Sequence, residues 1–174
     1  MHSSVEGVRV FSSLAYSAVT SHILLSAKED GIKQGDDLLL CALLNSMNNL
    51  IAAGISRTAL VPIPSRAQAN RKRGRNFVLQ LSERLGSIEL LKVWDLLEHS
   101  RKIQDQSNLA PQERLRNLTG SMKIANRVKL GRQVILVDDL MTTGATLGEA
   151  VRTLKEGGVG VAGAITAFLA LPIR

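Results

Sequence analysis

Residues 134–146, which read VILVDDLMTTGAT, constrain the fold of this chain more than any other stretch. The apolar run at residues 134–137 predicts a short buried strand, and Asp138 and Asp139 follow it at once. A helical face comes next, with apolar residues at Leu147, Ala150, Val151 and Leu154. A strand that passes through a short turn into a helix is the repeating unit of an α/β fold with a mainly parallel sheet.

The turn between this strand and helix has the composition of an anion site. Thr142, Thr143 and Thr146 offer hydroxyls, and Gly144 lets a ligand approach the backbone closely. The helix N-terminus behind the turn adds partial positive charge. Ligands of parallel sheets bind beyond the carboxyl ends of the strands, where this turn lies. We therefore expect a phosphate here; the alternative is a solvated acidic turn with a threonine N-cap.

Asp138 and Asp139 require compensation, because two adjacent carboxylates repel each other and are costly to desolvate. Sugar hydroxyls that donate to them would compensate the charge, and so would Mg²⁺ held directly or through water. A phosphate site one turn away from a diol site describes a ribose 5-phosphate ligand.

Composition limits the function classes. The 174 residues suit one compact domain. The net charge of +7, with a pI near 10.1, favours an anionic partner such as a polyphosphate, nucleic acid or anionic lipid; the alternative is that the charge serves solubility alone. Aromatic residues make up only 3%, which argues against a base-stacking surface for single strands. Cys41 is the only cysteine, which excludes an internal disulfide, and we expect it to be buried in a helix. No signal peptide or membrane span is evident, so we expect a cytoplasmic protein.

Strand patterns and helix patterns alternate along the rest of the chain. We expect residues 1–56 to be a helical segment, with helices at 8–27 and 36–53, packing on a domain formed by residues 57–174. Strands are predicted at residues 59–63, 93–97, 122–125 and 159–169, and helices at 77–86 and 111–118. The three histidines lack metal-ligand spacing, so His99 is interpreted as a surface or filler residue.

Residues 134–146 resemble the phosphoribosyl diphosphate (PRPP) motif of type I phosphoribosyltransferases. Further matches place the chain close to the ComF/GntX family, some of whose members are linked to DNA uptake. They are the VPIP stretch at residues 61–64, the segment with Arg73, Gly74 and Asn76, and the isolated Gln106, Arg114 and Asn117. Lys28 is similar to a lysine at a helix end in that family. The resemblance implies a type I phosphoribosyltransferase fold, a mainly parallel twisted sheet flanked by helices.

The resemblance also implies roles for individual residues. PRPP would be bound by Asp138, Asp139, Leu140, Met141, Thr142, Thr143, Gly144, Ala145 and Thr146. Its diphosphate would lie against the loop with Pro64, Ser65, Arg66 and Arg73, and Mg²⁺ would be held by the two aspartates, directly or indirectly. Arg71 and Arg75 are further cations of this loop. Cations at a helix start are unfavourable, so we expect an anion to neutralise them; the alternative is a solvated basic helix start or a nucleic-acid patch.

The polar segment at residues 101–117 fits the mobile flap that type I enzymes close over PRPP. Arg101, Lys102 and Arg114 are the cations that it would deliver, and Arg101 and Lys102 join the two aspartates as expected catalytic residues. The alternative is an ordinary exposed connection.

Three positions depart from the family pattern: Arg75 and Phe77 stand in place of Phe and Gln, and Ile103 in place of Thr. We expect a Mg²⁺-dependent transfer of the phosphoribosyl group to a nitrogenous acceptor. The alternative is a non-catalytic nucleotide- or PRPP-binding protein, or a DNA-uptake accessory. Nucleic acid and a second copy of the chain stay open as partners.

Overall fold

The computed structural model describes residues 1–101, 118–125 and 132–170. Seven strands lie in these ranges: β1 (His2–Val5), β2 (Val8–Ala15), β3 (Ala59–Pro62), β4 (Leu97–His99), β5 (Met122–Ile124), β6 (Gln133–Met141) and β7 (Gly160–Leu169). The main sheet has the order β1-β2-β7-β6-β3, and β1 alone runs antiparallel to its neighbour. β4 and β5 form a separate antiparallel pair.

Five helices lie in the same described ranges: α1 (Ala18–Asp30), α2 (Lys33–Ala52), α3 (Ala67–Arg73), α4 (Phe77–Glu89) and α5 (Ala145–Glu156). The apolar sides of α1, α2 and α4 pack on one face of the main sheet, and α5 packs on the other. Such a sheet with helices on both faces confirms the predicted α/β class, a mainly parallel sheet flanked by helices.

The residues of β6 show why its apolar run is continuous. Val134 and Leu136 pack toward α5, whereas Ile135 and Val137 pack toward α2 and α4, and all four are fully buried. A strand that is covered on both faces needs apolar residues at odd and even positions alike.

Pro62 is tolerated because β3 is an edge strand of the main sheet. The N–H of Leu60 donates to Lys92 on the side of β3 that faces away from β6, at 2.8 Å. The nitrogen of Pro62 has the same orientation two residues later, so its missing N–H removes no bond to β6. The main chain leaves the sheet after Ile63, whose N–H still donates to Val137.

The predicted helix at residues 8–27 is wrong over its first part. Val8–Ala15 is β2, and the helix begins only at Ala18. Glu6 and Gly7, both with positive φ, form a two-residue hairpin turn that pairs β2 with β1. The spacing of Val8, Phe11 and Ala15 mimics a helical face by chance. Residues 1–56, expected to be helical, therefore supply two strands of the main sheet as well as α1 and α2.

Smaller differences concern element ends. The helix predicted at 36–53 and the strands predicted at 59–63, 122–125 and 159–169 are confirmed, each within a few residues. α4 continues past Gly86 to Glu89, and the strand predicted at 93–97 lies at Leu97–His99 instead. Cys41 lies in α2 as expected but is exposed, so its interpretation as a buried residue is wrong. The helix predicted at 111–118 lies outside the described residues except for Leu118.

Candidate functional site

The carboxyl ends of β2, β3 and β6 border a cleft of about 580 Å³, which we call the acidic cleft. It is lined by Tyr16, Lys28, Ile63, Pro64, Ser65, Arg66, Ala69, Arg73, Val78, His99, Leu118, Asp138, Asp139, Leu140, Thr142 and Thr146. Parallel sheets place their ligand sites at this edge, because the loops that follow neighbouring strands converge there. Residues of the predicted PRPP motif and of the predicted diphosphate loop therefore face the same space.

Asp138 and Asp139 lie inside β6 rather than after it, since the strand continues to Met141. Their exposed fractions are only 8% and 5%. The N–H of Asp139 donates to Asp138 Oδ1 at 2.9 Å, and Lys28 Nζ donates to Asp139 Oδ2. The predicted need for compensation is thus met in part by a lysine of α1.

Burial raises the pKa of Asp138 well above its usual range, and the neighbouring charge of Asp139 raises it further. The ammonium of Lys28 and the N–H of Asp139 oppose this shift of the Asp138 pKa. The acidic pair therefore favours any ligand that brings hydrogen-bond donors or positive charge into the cleft.

The phosphate loop, residues 142–146, connects β6 to α5 as predicted. Gly144 is the N-cap of α5, with a φ of 77°. The alternative of a threonine N-cap is wrong, because no side chain caps this helix. Thr143 Oγ1 accepts only a long hydrogen bond from the N–H of Ala145, at 3.4 Å. The first N–H groups of α5 thus point into a turn of exposed threonines, which is the arrangement that binds anions.

The phosphate loop divides its residues between two clefts. Thr142 and Thr146 line the acidic cleft, whereas Thr143, Gly144 and Ala145 line a neighbouring cleft of about 490 Å³. Leu140 faces the acidic cleft, but Met141 is buried against α5 and does not line it. A Cβ on Gly144 would lie 2.7 Å from a methyl group of Val5, so β1 packs directly on the loop.

The basic segment, residues 66–75, differs from its prediction as a loop. Residues 67–73 form α3, so Arg71, Lys72 and Arg73 lie in the last turn of a helix, where the helix dipole favours cations. Gly74, with a φ of 69°, ends α3, and Asn76 is the N-cap residue of α4. The argument that these cations sit unfavourably at a helix start is therefore wrong for Arg71 and Arg73. Arg66, however, is the N-cap residue of α3, and Arg75 directly precedes the N-cap of α4.

Acidic side chains of the protein itself neutralise much of this segment. Arg73 contacts Glu29 at 2.7 Å and Lys72 contacts the same carboxylate at 3.5 Å. The hydrogen bond from Arg73 is the main reason that the pKa of Glu29 is lowered. Arg75 makes a bidentate contact with Asp36, at 2.6 and 3.0 Å, and lies outside the acidic cleft. Pro64, Ser65, Arg66 and Arg73, the residues expected on the diphosphate side, do line the cleft.

His99 lines the acidic cleft, which the sequence interpretation missed. It lies half-buried on β4, and its Nε2 is 3.0 Å from the carbonyl oxygen of Pro64. Burial lowers the pKa of His99, and the positive charge of Arg66 lowers it further. The backbone carbonyls of Pro64 and Ser121 raise this pKa but do not cancel the effect of burial. The neutral ring therefore donates Nε2–H to Pro64 and fastens the loop after β3 to β4. No sequence pattern signals this contact, because it depends on how β4 packs. Tyr16 also lines the acidic cleft, and no sequence pattern signals its position either.

The predicted flap can be followed only at its first residue. Arg101 is exposed, donates to the carbonyl of Thr119 at 3.3 Å, and is not among the cleft residues. Lys102, Ile103, Gln106, Arg114 and Asn117 lie outside the described residues.

Among the described residues of this cleft, the carboxylates of Asp138 and Asp139 could bind a metal ion. The described ranges contain no group of three or more His, Cys, Asp or Glu side chains that could hold one. Carboxylate oxygens suit Mg²⁺, which usually keeps several waters and binds through one or two carboxylates plus phosphate oxygens of a substrate. The acidic pair therefore fits a Mg²⁺ ion that arrives with a phosphorylated ligand.

A family model described as phosphoribosyl transferase domain matches residues 46–171. The chain belongs to this phosphoribosyl transferase domain family. The match extends from α2 through the last strand of the sheet and includes both the acidic pair and the phosphate loop. It confirms the sequence-based recognition of a phosphoribosyltransferase-like chain.

Among curated proteins, "Competence protein F" of Haemophilus influenzae is 29% identical to this chain over 104 residues. That similarity covers 58% of the chain but only 45% of the relative, so the chain spans less than half of its length. It agrees with the ComF resemblance read from the motifs. Within the described ranges, no helix is both long and apolar enough to cross a membrane.

Solved structures with a similar chain trace include two phosphoribosyltransferases. Orotate phosphoribosyltransferase from Aeropyrum pernix has 15% identity and a TM-score of 0.44, covering 79% of this chain and 60% of that one. Adenine phosphoribosyltransferase from Leishmania tarentolae has 11% identity and a TM-score of 0.46, covering 83% and 74%.

Proposed function

We propose that this chain binds PRPP, or another ribose 5-phosphate ligand, in the acidic cleft and transfers its phosphoribosyl group to a nitrogenous acceptor with release of diphosphate. The observation that carries this proposal is the convergence of three features on one cleft: the acidic pair, the phosphate loop and the loop with Ser65 and Arg66. A ribose with a phosphate at one end and a diphosphate at the other needs a phosphate site, a site for its hydroxyls and a diphosphate site around one cleft.

The acidic pair would hold the ribose ring through its hydroxyls. Both carboxylates are buried at the cleft floor, where hydrogen bonds to charged groups are strong. As the bond from ribose C1 to diphosphate breaks, the sugar gains positive charge, as in other glycosyl transfers. The negative charge of the pair, held in place by β6, would stabilise this developing cation. The 5-phosphate would accept hydrogen bonds from the N–H groups and threonine hydroxyls of the phosphate loop.

The departing diphosphate would lie between Ser65, Arg66 and Arg73 on one side and the acidic pair on the other. Asp138 and Asp139 would hold Mg²⁺, directly or through water, and the ion would supply positive charge that stabilises the leaving group. Arg66 reaches this space from the loop that His99 fastens. Arg101 and Lys102 begin the segment that would close over the ligand in this proposal.

Thr142→Val tests the phosphate loop, because Thr142 is the exposed threonine of the loop that lines the acidic cleft. A hydrogen bond to a charged group contributes about 1.5–3 kcal/mol, so the variant should bind PRPP about 10- to 150-fold more weakly in calorimetry, at an unchanged melting temperature. Because Thr142 is exposed, the fold should tolerate valine there. Ser87→Ala, which removes a hydroxyl on the outer face of α4, is the matched control. Equal PRPP affinity in both variants would refute the phosphate-loop assignment.

A second candidate is a non-catalytic nucleotide- or PRPP-binding protein, or a DNA-uptake accessory. The contacts of Arg75 favour this second candidate. Arg75 stands where the family has Phe, and its guanidinium is bound to Asp36, so it does not replace the contact that the family residue would make with a ligand. The name of the Haemophilus relative points the same way. Incubation with PRPP, Mg²⁺ and a panel of nitrogenous bases separates the candidates. Diphosphate release supports transfer, whereas salt-sensitive DNA binding without release supports the accessory role.

A further inference from the structure

The acidic pair has a counter-ion that the protein itself supplies. Lys28 Nζ contacts Asp139 Oδ2, although the two residues are 111 positions apart in the chain. The side chain of Lys28 is 22% exposed and that of Asp139 is 6% exposed. A lysine that is this well enclosed and in contact with a buried carboxylate is part of the site rather than a passing surface charge.

The end of α1 that carries Lys28 is fixed by further contacts. Arg75 donates to the carbonyl of Ala27, which is fully buried, while the same guanidinium holds Asp36. Arg73 holds Glu29, on the other side of Lys28 in sequence. Lys28 is thus flanked by two anchored neighbours, and its ammonium lies 5.9 Å from the ring centroid of Phe77.

These contacts bear on how a divalent ion would reach the acidic pair. An ammonium in contact with a carboxylate neutralises it and repels a second cation that approaches the same oxygen atoms. A free Mg²⁺ ion would have to displace Lys28 from a position that α1, α3 and α4 jointly support. A Mg²⁺ ion that arrives bound to a diphosphate brings its own anionic ligands and does not meet this barrier.

We propose that Lys28 is the resident counter-ion of the acidic pair, so that a divalent ion binds there only together with a diphosphate ligand. A ribose 5-phosphate that lacks the diphosphate then binds without any metal, its hydroxyls on the aspartates and its phosphate on the phosphate loop. This second part rests on the proposed function, whereas the exclusion of free metal rests on the contacts of Lys28 alone.

Binding of Mn²⁺ to the protein without sugar tests the first part. Electron paramagnetic resonance should show at least about tenfold tighter Mn²⁺ binding in Lys28→Met than in the native protein. Lys28→Arg, which keeps the charge, should bind Mn²⁺ as weakly as the native protein. Lys33→Met, at an exposed position of α2, is the control for loss of a lysine elsewhere. The double variant Lys28→Met with Asp139→Asn should lose the gain, which maps the ion to the acidic pair.

Loss of Lys28 leaves buried carboxylates without their cation, so Lys28→Met is checked for folding by circular dichroism. If it does not fold, Lys28→Gln and the native protein carry the test. Native protein that binds Mn²⁺ as tightly as a lysine-free variant overturns the proposal, and so does native protein with strong Mn²⁺ binding that Asp139→Asn abolishes.

Calorimetry with ribose 5-phosphate tests the second part and separates it from the proposed function. Native protein should bind ribose 5-phosphate equally well in EDTA and in Mg²⁺, and Lys28→Met should need the metal. Binding by the native protein only with Mg²⁺ would overturn the counter-ion role but leave the proposed function intact. No binding of ribose 5-phosphate or PRPP under either condition would instead refute the proposed function, while the Mn²⁺ result would still decide the role of Lys28.

Discussion

The phosphate loop and the basic segment both border the acidic cleft, and the protein builds them in different ways. The phosphate loop takes its character from backbone groups: the N–H groups at the start of α5 and the left-handed Gly144. The basic segment takes its character from side chains, and most of those have partners within the protein. Arg73 and Lys72 contact Glu29, and Arg75 contacts Asp36.

This contrast shows that a run of cations in a sequence does not measure the positive charge offered to a ligand. The sequence of the basic segment suggests a surface that could hold diphosphate or nucleic acid throughout its length. In the structure much of that charge fastens α3 and α4 to α1 and α2. Of the segment's cations, Arg66 and Arg73 line the cleft, and Arg73 is already paired with Glu29. The same contacts position Lys28 over the acidic pair.

Arg75→Ala tests the structural role of the basic segment and has the largest expected effect on stability. The guanidinium of Arg75 and the carboxylate of Asp36 are 19% and 15% exposed, so the variant leaves a mostly buried carboxylate unpaired. We expect the free energy of unfolding to fall by about 3 kcal/mol. Urea is the denaturant of choice, because guanidinium chloride would screen the ion pair.

Arg71→Ala is the matched control for this prediction, since Arg71 lies on the exposed side of α3. It should change the free energy of unfolding by less than about 0.5 kcal/mol. Equal losses of unfolding free energy in Arg75→Ala and Arg71→Ala would mean that the contact between Arg75 and Asp36 has no special structural role.

Gly144→Ala tests the backbone character of the phosphate loop. A left-handed conformation costs about 1–2 kcal/mol for a residue with a Cβ, and this Cβ would also meet Val5 at 2.7 Å. We expect the free energy of unfolding to fall by about 2 kcal/mol, measured in urea. Gly54→Ala, at a φ of 83° with open space around it, should lose about 1 kcal/mol less. Adding Val5→Ala to Gly144→Ala should remove that difference; if it does not, β1 does not support the loop.

His99→Gln has the smallest expected effect and concerns the contact between Pro64 and β4. Because burial lowers the pKa of His99 below its ordinary value of 6.5, the unfolded chain takes up the proton first as the pH falls. The free energy of unfolding should therefore drop as the pH falls below 6.5, by less than about 1 kcal/mol for a half-buried ring. The drop should shrink in His99→Gln and persist in His22→Gln, an exposed control. Identical pH profiles in all three proteins would contradict this role of His99.

The sequence predicts the strand, turn and helix around the phosphate loop correctly, because the residues that determine them are adjacent in the chain. Four apolar residues, two acids and a Thr-Thr-Gly-Ala-Thr turn stand in one stretch, and strand, turn and helix follow from their order. The long apolar side of α2 is predicted for the same reason, since one face of a helix is encoded within a few turns.

The rest of the site depends on partners that lie far away in the chain. The sequence of β2 predicts a helix instead of a strand, because its strand partner β7 begins about 150 residues later and nothing near Val8 indicates this pairing. The partners of Arg75 and Lys28 are 39 and 111 residues distant, so their contacts follow only from the packing of α1 and α2. His99 reaches the cleft for a similar reason, through the carbonyl of Pro64.

The position of β7 has a consequence for how the chain reaches this structure. β7 is the last of the described strands to be synthesised, yet it lies between β2 and β6 and pairs with both. Until it inserts, β2 and β6 each present an unpaired edge beside apolar residues, which is a state prone to aggregation. We therefore expect this sheet to form late, only after β7 has been synthesised, and to fold slowly through contacts between distant parts of the chain.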